Sequence, residues 1–260
     1  MKLEKKTNRY IRQIMLSEFG EDGQERLFKA KVLVVGAGGL GSAAITYLAA
    51  AGVGELGIVD GDIVEEHNLQ RQTIHAGKVG MNKAESAKIF VEELNPDVEV
   101  VAYPFNITPD NVMELVKEYD VVVLCPDNLA TRYLVNDACM LTGTPFVHSA
   151  IGDFEGEVMT VTQTPCYRCV FPEAPEQINH EVGVMGFTAG FFGCIQAAET
   201  IKLIAGLRTL AGKYLRVNLL SMEFITVDLK RNPECPVCSG KLKRIYPENY
   251  DKSCRVVKFE

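Results

Sequence analysis

Two C-x-x-C pairs, Cys166/Cys169 and Cys235/Cys238, and a glycine-rich run, Gly36-Ala37-Gly38-Gly39-Leu40-Gly41, are the residues whose type and spacing most directly suggest chemistry. Two such cysteine knuckles, distant in sequence, can bring four thiolates to one tetrahedral Zn²⁺, a closed site with no open position for substrate. Pro236 stiffens the second knuckle. A redox dithiol and unconnected thiols are the alternatives. In the glycine run, Gly36, Gly38 and Gly41 fit G-x-G-x-x-G. Glycine permits a tight turn and close backbone approach, and a helix N-terminus behind the turn favours phosphate. Asp60 stands about 20 residues further on, where an acid can hydrogen-bond a ribose hydroxyl. Alone, this pattern says only that a nucleotide binds; a dehydrogenase, or a tight turn with no ligand, would look the same.

Further residues shift that balance. Asn68-Leu69-Gln70-Arg71-Gln72 places a fixed cation shortly after Asp60, and Lys83 falls in the first turn of an expected helix. Asp127 ends an expected parallel strand, facing the crevice where ligands bind in open α/β sheets. An acid there can hold Mg²⁺, which takes one or two carboxylates together with phosphate oxygens. Singly, Arg71 and Lys83 could be solvated charges and Asp127 a helix cap. Together with the glycine turn and Asp60 they suit a triphosphate and metal better than NAD.

The elements that must position these groups are legible as apolar runs alternating with helical patterns, the signature of βαβ units around a parallel sheet. Residues 31–35 read as a buried strand leading into the glycine turn, 40–51 as a helix stopping near Gly52, and 55–60 as the strand carrying Asp60. Asn82, with Glu85 three residues later, resembles a capping box and starts a helix at Lys83. Residues 97–102 form another strand. Thr108-Pro109 opens a helix with Val112, Leu115, Val116 and Tyr119 on one face. Residues 120–125 are a strongly apolar strand, Asp127-Asn128 starts the next helix, and 145–148 closes the parallel set. Strands at 157–162, 214–220 and 223–229, interrupted by a long apolar helix near 188–205, extend the sheet with antiparallel members.

The composition excludes some classes. At 260 residues, 47% hydrophobic and 23% charged, the chain has the mix of a soluble protein with a sizeable core. A net charge of -7 argues against a nucleic-acid binder. The charged start, Met1 to Lys6, lacks the apolar stretch of a secretory signal. Residues 182–206 are apolar enough to suggest a membrane span, but Gln196, Glu199 and Lys202 favour a buried core helix. Cytoplasmic residence is expected, since cysteines without a secretory signal point to metal rather than disulfides.

Taken in order, several stretches are similar to those of the E1-like adenylating enzymes, specifically the MoeB/ThiF/HesA group. They are Arg9-Tyr10-Ile11-Arg12-Gln13, the glycine run, Asn68-Leu69-Gln70-Arg71-Gln72 and Val79-Gly80-Met81-Asn82-Lys83. Then come Asp127-Asn128, Pro165-Cys166-Tyr167-Arg168-Cys169-Val170-Phe171-Pro172, residues 196–204 from Gln196 to Ile204, and Asn232-Pro233-Glu234-Cys235-Pro236-Val237-Cys238. The likeness runs from about Arg9 to Ser239. It implies a Rossmann-like α/β fold, mainly parallel, with helices on both faces, an antiparallel extension and a Cys₄ zinc site. It implies a homodimer that uses ATP and Mg²⁺ to adenylate the Gly-Gly terminus of a ubiquitin-like sulfur carrier for molybdopterin or thiamine sulfur transfer. By position, Gly36, Gly38, Gly39, Gly41, Asp60 and Asn68 would bind the nucleotide. Arg71 and Lys83 would stabilise its phosphates and Asp127 would hold Mg²⁺. Arg12 matches an arginine that enters the neighbouring subunit's site. One domain over residues 1–260 follows: an arm (1–30), a nucleotide half (31–150), a zinc-knuckle and carrier-binding half (151–240) and a tail (241–260) that either packs or stays mobile.

The sequence departs from these relatives at Asn179, where many carry a cysteine used in sulfur transfer. No covalent thioester or acyl-persulfide can form at that position, so a separate sulfurtransferase is expected to receive the acyl-adenylate. Pro126, before Asp127, replaces a small hydroxylated residue. Cys125, Cys139, Cys194 and Cys254 lack an activating neighbour in sequence, and His75, His148 and His180 have no ligand-like spacing. Competing readings are an E1-like adenylase acting on a peptide C-terminus or tRNA base, a NAD-dependent dehydrogenase and a non-catalytic scaffold.

Overall fold

The apolar runs become strands of one sheet. A computed structural model describes residues 2–174, 183–251 and 253–259, with side chains from residue 8 onward. In chain order the elements are α1 (Lys2–Ile14), α2 (Gly20–Lys29), β1 (Lys31–Val35), α3 (Gly39–Ala51), β2 (Glu55–Val59), α4 (Lys83–Leu94) and β3 (Glu99–Tyr103). There follow α5 (Val112–Lys117), β4 (Val121–Leu124), α6 (Leu129–Thr142), β5 (Phe146–Gly152), β6 (Glu155–Val161) and a short α7 (Tyr167–Val170). The chain continues through α8 (Gly186–Ala205), β7 (Lys213–Asn218) and β8 (Glu223–Asp228).

The eight strands lie in the order β3-β2-β1-β4-β5-β6-β7-β8. From β3 to β5 every pairing is parallel; from β5 to β8 every pairing is antiparallel. This is the mixed sheet anticipated from the alternating first half and the strand-rich second half. Helices cover both faces. Val32 and Val34 of β1 pack in one apolar layer with residues of α3, α4 and α8; Leu33 and Val35 pack in the other with residues of α5, α6 and the tail. The alternation follows from the two-residue period of a strand.

Local signals set most helix ends. Gly52 takes a left-handed conformation (φ 86°) and closes α3. The Asn82 side chain accepts the N–H groups of Ala84 and Glu85 and starts α4. The helix expected from Thr108 begins only at Val112. There the Asn111 side chain accepts the Thr108 N–H at 2.8 Å, drawing residues 108–111 into a turn ahead of the helix. The face formed by Val112, Leu115, Val116 and Tyr119 is nevertheless buried.

The apolar helix α8 lies in the core. Gln196 and Glu199 are buried on it, and Glu199 accepts from Thr160 Oγ1 at 2.6 Å and from the Leu210 N–H at 2.7 Å. Among the described residues, no helix is long and apolar enough to cross a membrane. The tail, on which the sequence was silent, packs on its own chain: Asn249 is fully buried and its Oδ1 accepts the Val257 and Lys258 N–H groups, both at 2.9 Å.

Candidate nucleotide site and cysteine cluster

Strands β1 and β4 are neighbours, yet the chain leaves them toward opposite sides of the sheet. Such a switch point opens a crevice at the strands' carboxyl ends. The glycine turn follows β1 and Pro126-Asp127 follows β4, so both meet there. Gly36 has φ 96°, and a Cβ on it would stand 2.8 Å from the Cys125 carbonyl oxygen; one on Gly41 would stand 2.1 Å from that of Gly36. The turn therefore needs glycine at both positions.

Side chains fix the turn from below. Asp60 accepts the Ala37 N–H at 2.8 Å with one oxygen and the Asp62 N–H at 2.9 Å with the other. Burial lifts its carboxyl above the usual range, and those two N–H bonds partly offset the shift. His75, fully buried, meets the Ala37 carbonyl through Nε2 and Ser86 Oγ through Nδ1, each at 2.8 Å. Burial lowers its pKa. Residue 37 is thus held at both its N–H and its C=O. Sequence spacing marked Asp60 and passed over His75, because nothing local links residues 37 and 75.

A cleft of about 300 Å³ opens over this turn, lined by Asp60, Asp62, Asp127 and Asn128 among others. Asn128, not Asp127, caps α6, accepting the Thr131 N–H at 2.9 Å. Asp127 is exposed at the cleft, and its carboxylate has no hydrogen-bond or ion-pair partner among the described residues. Lys83 is buried at the first position of α4 and its Nζ lies 2.9 Å from Asp62 Oδ2. Arg71 runs beside the turn: a Cβ on Gly39 would stand 3.4 Å from its Cγ. Its Nη1 donates to the His67 carbonyl at 3.2 Å. Asn68 is buried and shapes this segment, its Oδ1 accepting the Glu65 N–H at 3.1 Å in a reciprocated capping box. Gln196 reaches from α8 to donate to the carbonyls of Leu124 (2.9 Å) and Val147 (3.2 Å), bracing the ends of β4 and β5. In the sequence Gln196 marks a core helix and opens the family-like stretch 196–204, with no sign of this bracing role.

Arg12 is placed elsewhere. Helix α1 sits on the C-terminal ends of α3 and α4, where Gln13 donates to the Ala51 carbonyl and Arg9 to that of Leu94, both at 3.1 Å. The glycine turn and Lys83 lie at the other ends of those helices, roughly 18–20 Å away along their axes. Arg12 is exposed and is not brought to its own chain's cleft.

The four knuckle cysteines converge. All four Sγ atoms lie within 4.8 Å of one another. Cys166 and Cys235 are 3.7 Å apart, and Cys169 and Cys238 3.5 Å. Zn–S bonds of about 2.3 Å in a tetrahedron require sulfurs about 3.8 Å apart, so the donor set and its spacing fit Zn²⁺. A hydrogen bond from Cys166 brings the Cys169 thiol down to about 6, while Cys169, Cys235 and Cys238 push Cys166 up. The knuckle is fastened by Arg168, fully buried, whose Nε and Nη2 meet the Asp137 carboxylate at 2.8–3.0 Å and whose Nη1 donates to the Cys254 carbonyl. Asn179 and His180 lie outside the described residues.

Comparison with known proteins bears on this geometry. The ThiF family pattern matches residues 10–237. The SAMP-activating enzyme E1 of Haloferax volcanii is 49% identical over 257 residues, covering 96% of this chain and 95% of that protein. The sulfur carrier protein adenylyltransferase of Thermus thermophilus is 42% identical over 260 residues, with 95% and 96% covered. The adenylyltransferase and sulfurtransferase MOCS3 of Mus musculus is 46% identical over 256 residues; these span 95% of this chain but only 55% of its own length. Among solved structures, Escherichia coli MccB crystallised with ATP superposes with a TM-score of 0.79 at 24% identity, covering 89% of this chain and 74% of that one, a likeness of fold.

Proposed function

The chain belongs to the ThiF family of E1-like adenylyltransferases, and from that premise we propose that it adenylates the C-terminal carboxylate of a small ubiquitin-like sulfur-carrier protein with ATP. One observation carries the reading: Gly36 of the glycine turn, Asp62 with Lys83 bonded to it, and an Asp127 without a partner among the described residues meet at one cleft on the switch point of the sheet.

A carboxylate oxygen attacks the α-phosphorus, the bond from that phosphorus to the bridging oxygen breaks, and pyrophosphate leaves with the electron pair. The carboxylate is already ionised at neutral pH, so no general base is needed. The barrier is electrostatic, since two anions must meet and charge builds on the leaving group. The N–H groups of the glycine turn and the N-terminus of α3 receive phosphate oxygens. Lys83 exchanges its bond to Asp62 for phosphate, and Arg71 lies beside the same turn. Asp127 is the residue to hold Mg²⁺, which supplies further neutralisation of the phosphates when bound. Arg12, distant from its own cleft, serves the cleft of a second copy in a homodimer. The cysteine cluster holds structural Zn²⁺.

A second concavity, of about 650 Å³, lies along β5, β6 and β7 and is lined by Glu155, Glu157, Phe171, Tyr214 and Arg216. Its floor includes the carboxyl end of β5, which runs parallel to β4, so it opens on the same edge of the sheet as the cleft. It is the place for the carrier's terminal peptide. A separate sulfurtransferase takes the acyl-adenylate onward. Burial pushes up the thiols of Cys125, Cys139, Cys194 and Cys254, so outside the cluster no described cysteine is an activated nucleophile. Free thiols and a zinc knuckle suit the cytoplasm.

The test is ATP–pyrophosphate exchange with each small Gly-Gly-ended carrier of the same organism, with Asp127→Ala and Arg12→Ala as controls. Exchange that depends on one carrier and collapses in both variants is expected. ATP binding without exchange on any carrier would overturn the reading and point to a different carboxylate.

A further inference from the structure

Arg132 occupies a position that helix stability does not explain. It lies in the first turns of α6, where the helix dipole disfavours a cation. Its side chain folds back over the helix N-terminus and donates to the Pro126 carbonyl twice, from Nε at 3.3 Å and from Nη2 at 3.1 Å. Pro126 itself has no N–H, so its carbonyl is its one backbone hydrogen-bonding group. The next residue is Asp127, whose carboxylate stands at the cleft without a partner among the described residues.

The Arg132 charge is felt by half-buried Glu157 on β6, and also by His148 and Tyr167. Burial pushes the Glu157 carboxyl up, but His148, Tyr214 and Arg132 outweigh that and hold it below the usual carboxylate range. Its Oε1 meets His148 Nε2 at 3.2 Å and its Oε2 accepts from Tyr214 Oη. Burial, with the Arg132 charge nearby, lowers the His148 pKa, and its Nε2 faces the Glu157 carboxylate. Tyr167 belongs to the first cysteine knuckle and packs its ring edge-on against His148, 4.7 Å between centroids. The guanidinium thus sits in the field of a carboxylate while two of its N–H groups are directed at one carbonyl. A planar fork sets the direction of an acceptor, where a single ammonium would set only its distance.

We propose that Arg132 is a positioning residue: by gripping the Pro126 carbonyl it aims the Asp127 carboxylate into the cleft and sets how tightly a nucleotide-bound divalent cation is held. This rests on the reading of the cleft as an ATP site.

The test uses Mn²⁺ in place of Mg²⁺, with a non-hydrolysable ATP analogue, on the full-length protein; bound Mn²⁺ is read by electron paramagnetic resonance, and no carrier is required. Arg132→Gln should weaken Mn²⁺ binding about tenfold, the lower end of what loss of an outer-shell partner costs a metal site. Binding of the analogue without divalent metal should stay unchanged. Arg132→Lys, which keeps the charge and loses the fork, should fall between, and it carries the comparison if the glutamine variant does not fold. In an Asp127→Asn background Arg132→Gln should add no further loss. Unchanged Mn²⁺ affinity in the Arg132 variants, or an equal loss with and without Asp127, would overturn the positioning role while leaving the ATP site standing. Mn²⁺ binding in the unaltered protein that ignores Asp127→Asn would overturn both.

Discussion

The parallel and antiparallel halves of the sheet are held together by different forces. All four residues of β4 and four of five in β1 are buried, packed by helices on both faces. All six residues of β8 are exposed, and Phe224, Ile225 and Val227 are 45–53% accessible. The first half gains its order from apolar burial, and its catalytic candidates hang from strand ends that cannot move without disturbing that core. In the second half β6 still joins the core through Val158, Met159 and Val161. Point fastenings add to it: the cysteine cluster, the Arg168–Asp137 pair, the Asn249 clasp and the Arg216–Glu155 ion pair. Rigid placement of reacting groups needs the first arrangement. The second leaves a sheet edge and a concavity uncovered while still fixing the knuckle beside them.

The contrast can be broken most forcefully at Arg168. Arg168→Ala strips the buried Asp137 carboxyl of its ion-pair partner, a loss of about 3–5 kcal/mol. Urea denaturation should show it, together with earlier proteolysis of the tail than of the parallel half. Pairing Arg168→Met with Asp137→Leu should restore most of the stability. A loss below about 1 kcal/mol in the alanine variant would mean that this half is fastened elsewhere.

Lys83→Met tests the other side. It removes charge from beside the cleft but leaves a side chain of similar length. Pyrophosphate exchange should fall about 10²–10³-fold, while thermal stability changes little. Comparable losses in both measurements would show that Lys83 acts mainly as a structural ion pair with Asp62.

The pH dependence of stability should trace to the parallel half and its border. His75 and His148 are both held below the ordinary histidine value, chiefly by burial. Their folded pKa values lie under the unfolded one of about 6.5, so the stability they contribute is complete above that pH and is lost as pH falls toward the folded values. Each proton sets a slope of at most about 1.4 kcal/mol per pH unit. Replacing His75 with Gln should flatten the fall in melting temperature between pH 7 and 5; an unchanged slope would assign it to other groups.

The smallest effect is expected on β8. Phe224→Ser should change stability by about 0.5 kcal/mol or less, as at other exposed positions. A loss several times larger would show that this face is covered in the protein as it exists in solution.

Much of this molecule was determined by the sequence alone because the signals were local. Strand runs, the Gly52 stop, the Asn82 cap, the glycine turn and the cysteine spacing each act over a few residues, through steric limits on the backbone or a fixed side-chain period. The parallel and antiparallel halves, and the groups gathered at the cleft, could be read from those signals. The helix expected at Thr108 began later because Asn111 offered the backbone a competing bond, a choice that propensity does not resolve. Only the tertiary structure decided that His75 meets Ala37, that Gln196 braces β4 and β5, that Arg132 grips Pro126 and that Arg168 joins Asp137 to Cys254. Buried polar groups must find partners, and which backbone atoms lie within reach is settled after the strands and helices have packed. Arg132 shows this most plainly: its partner is only six residues away, yet nothing in the local pattern marks the Pro126 carbonyl as its acceptor.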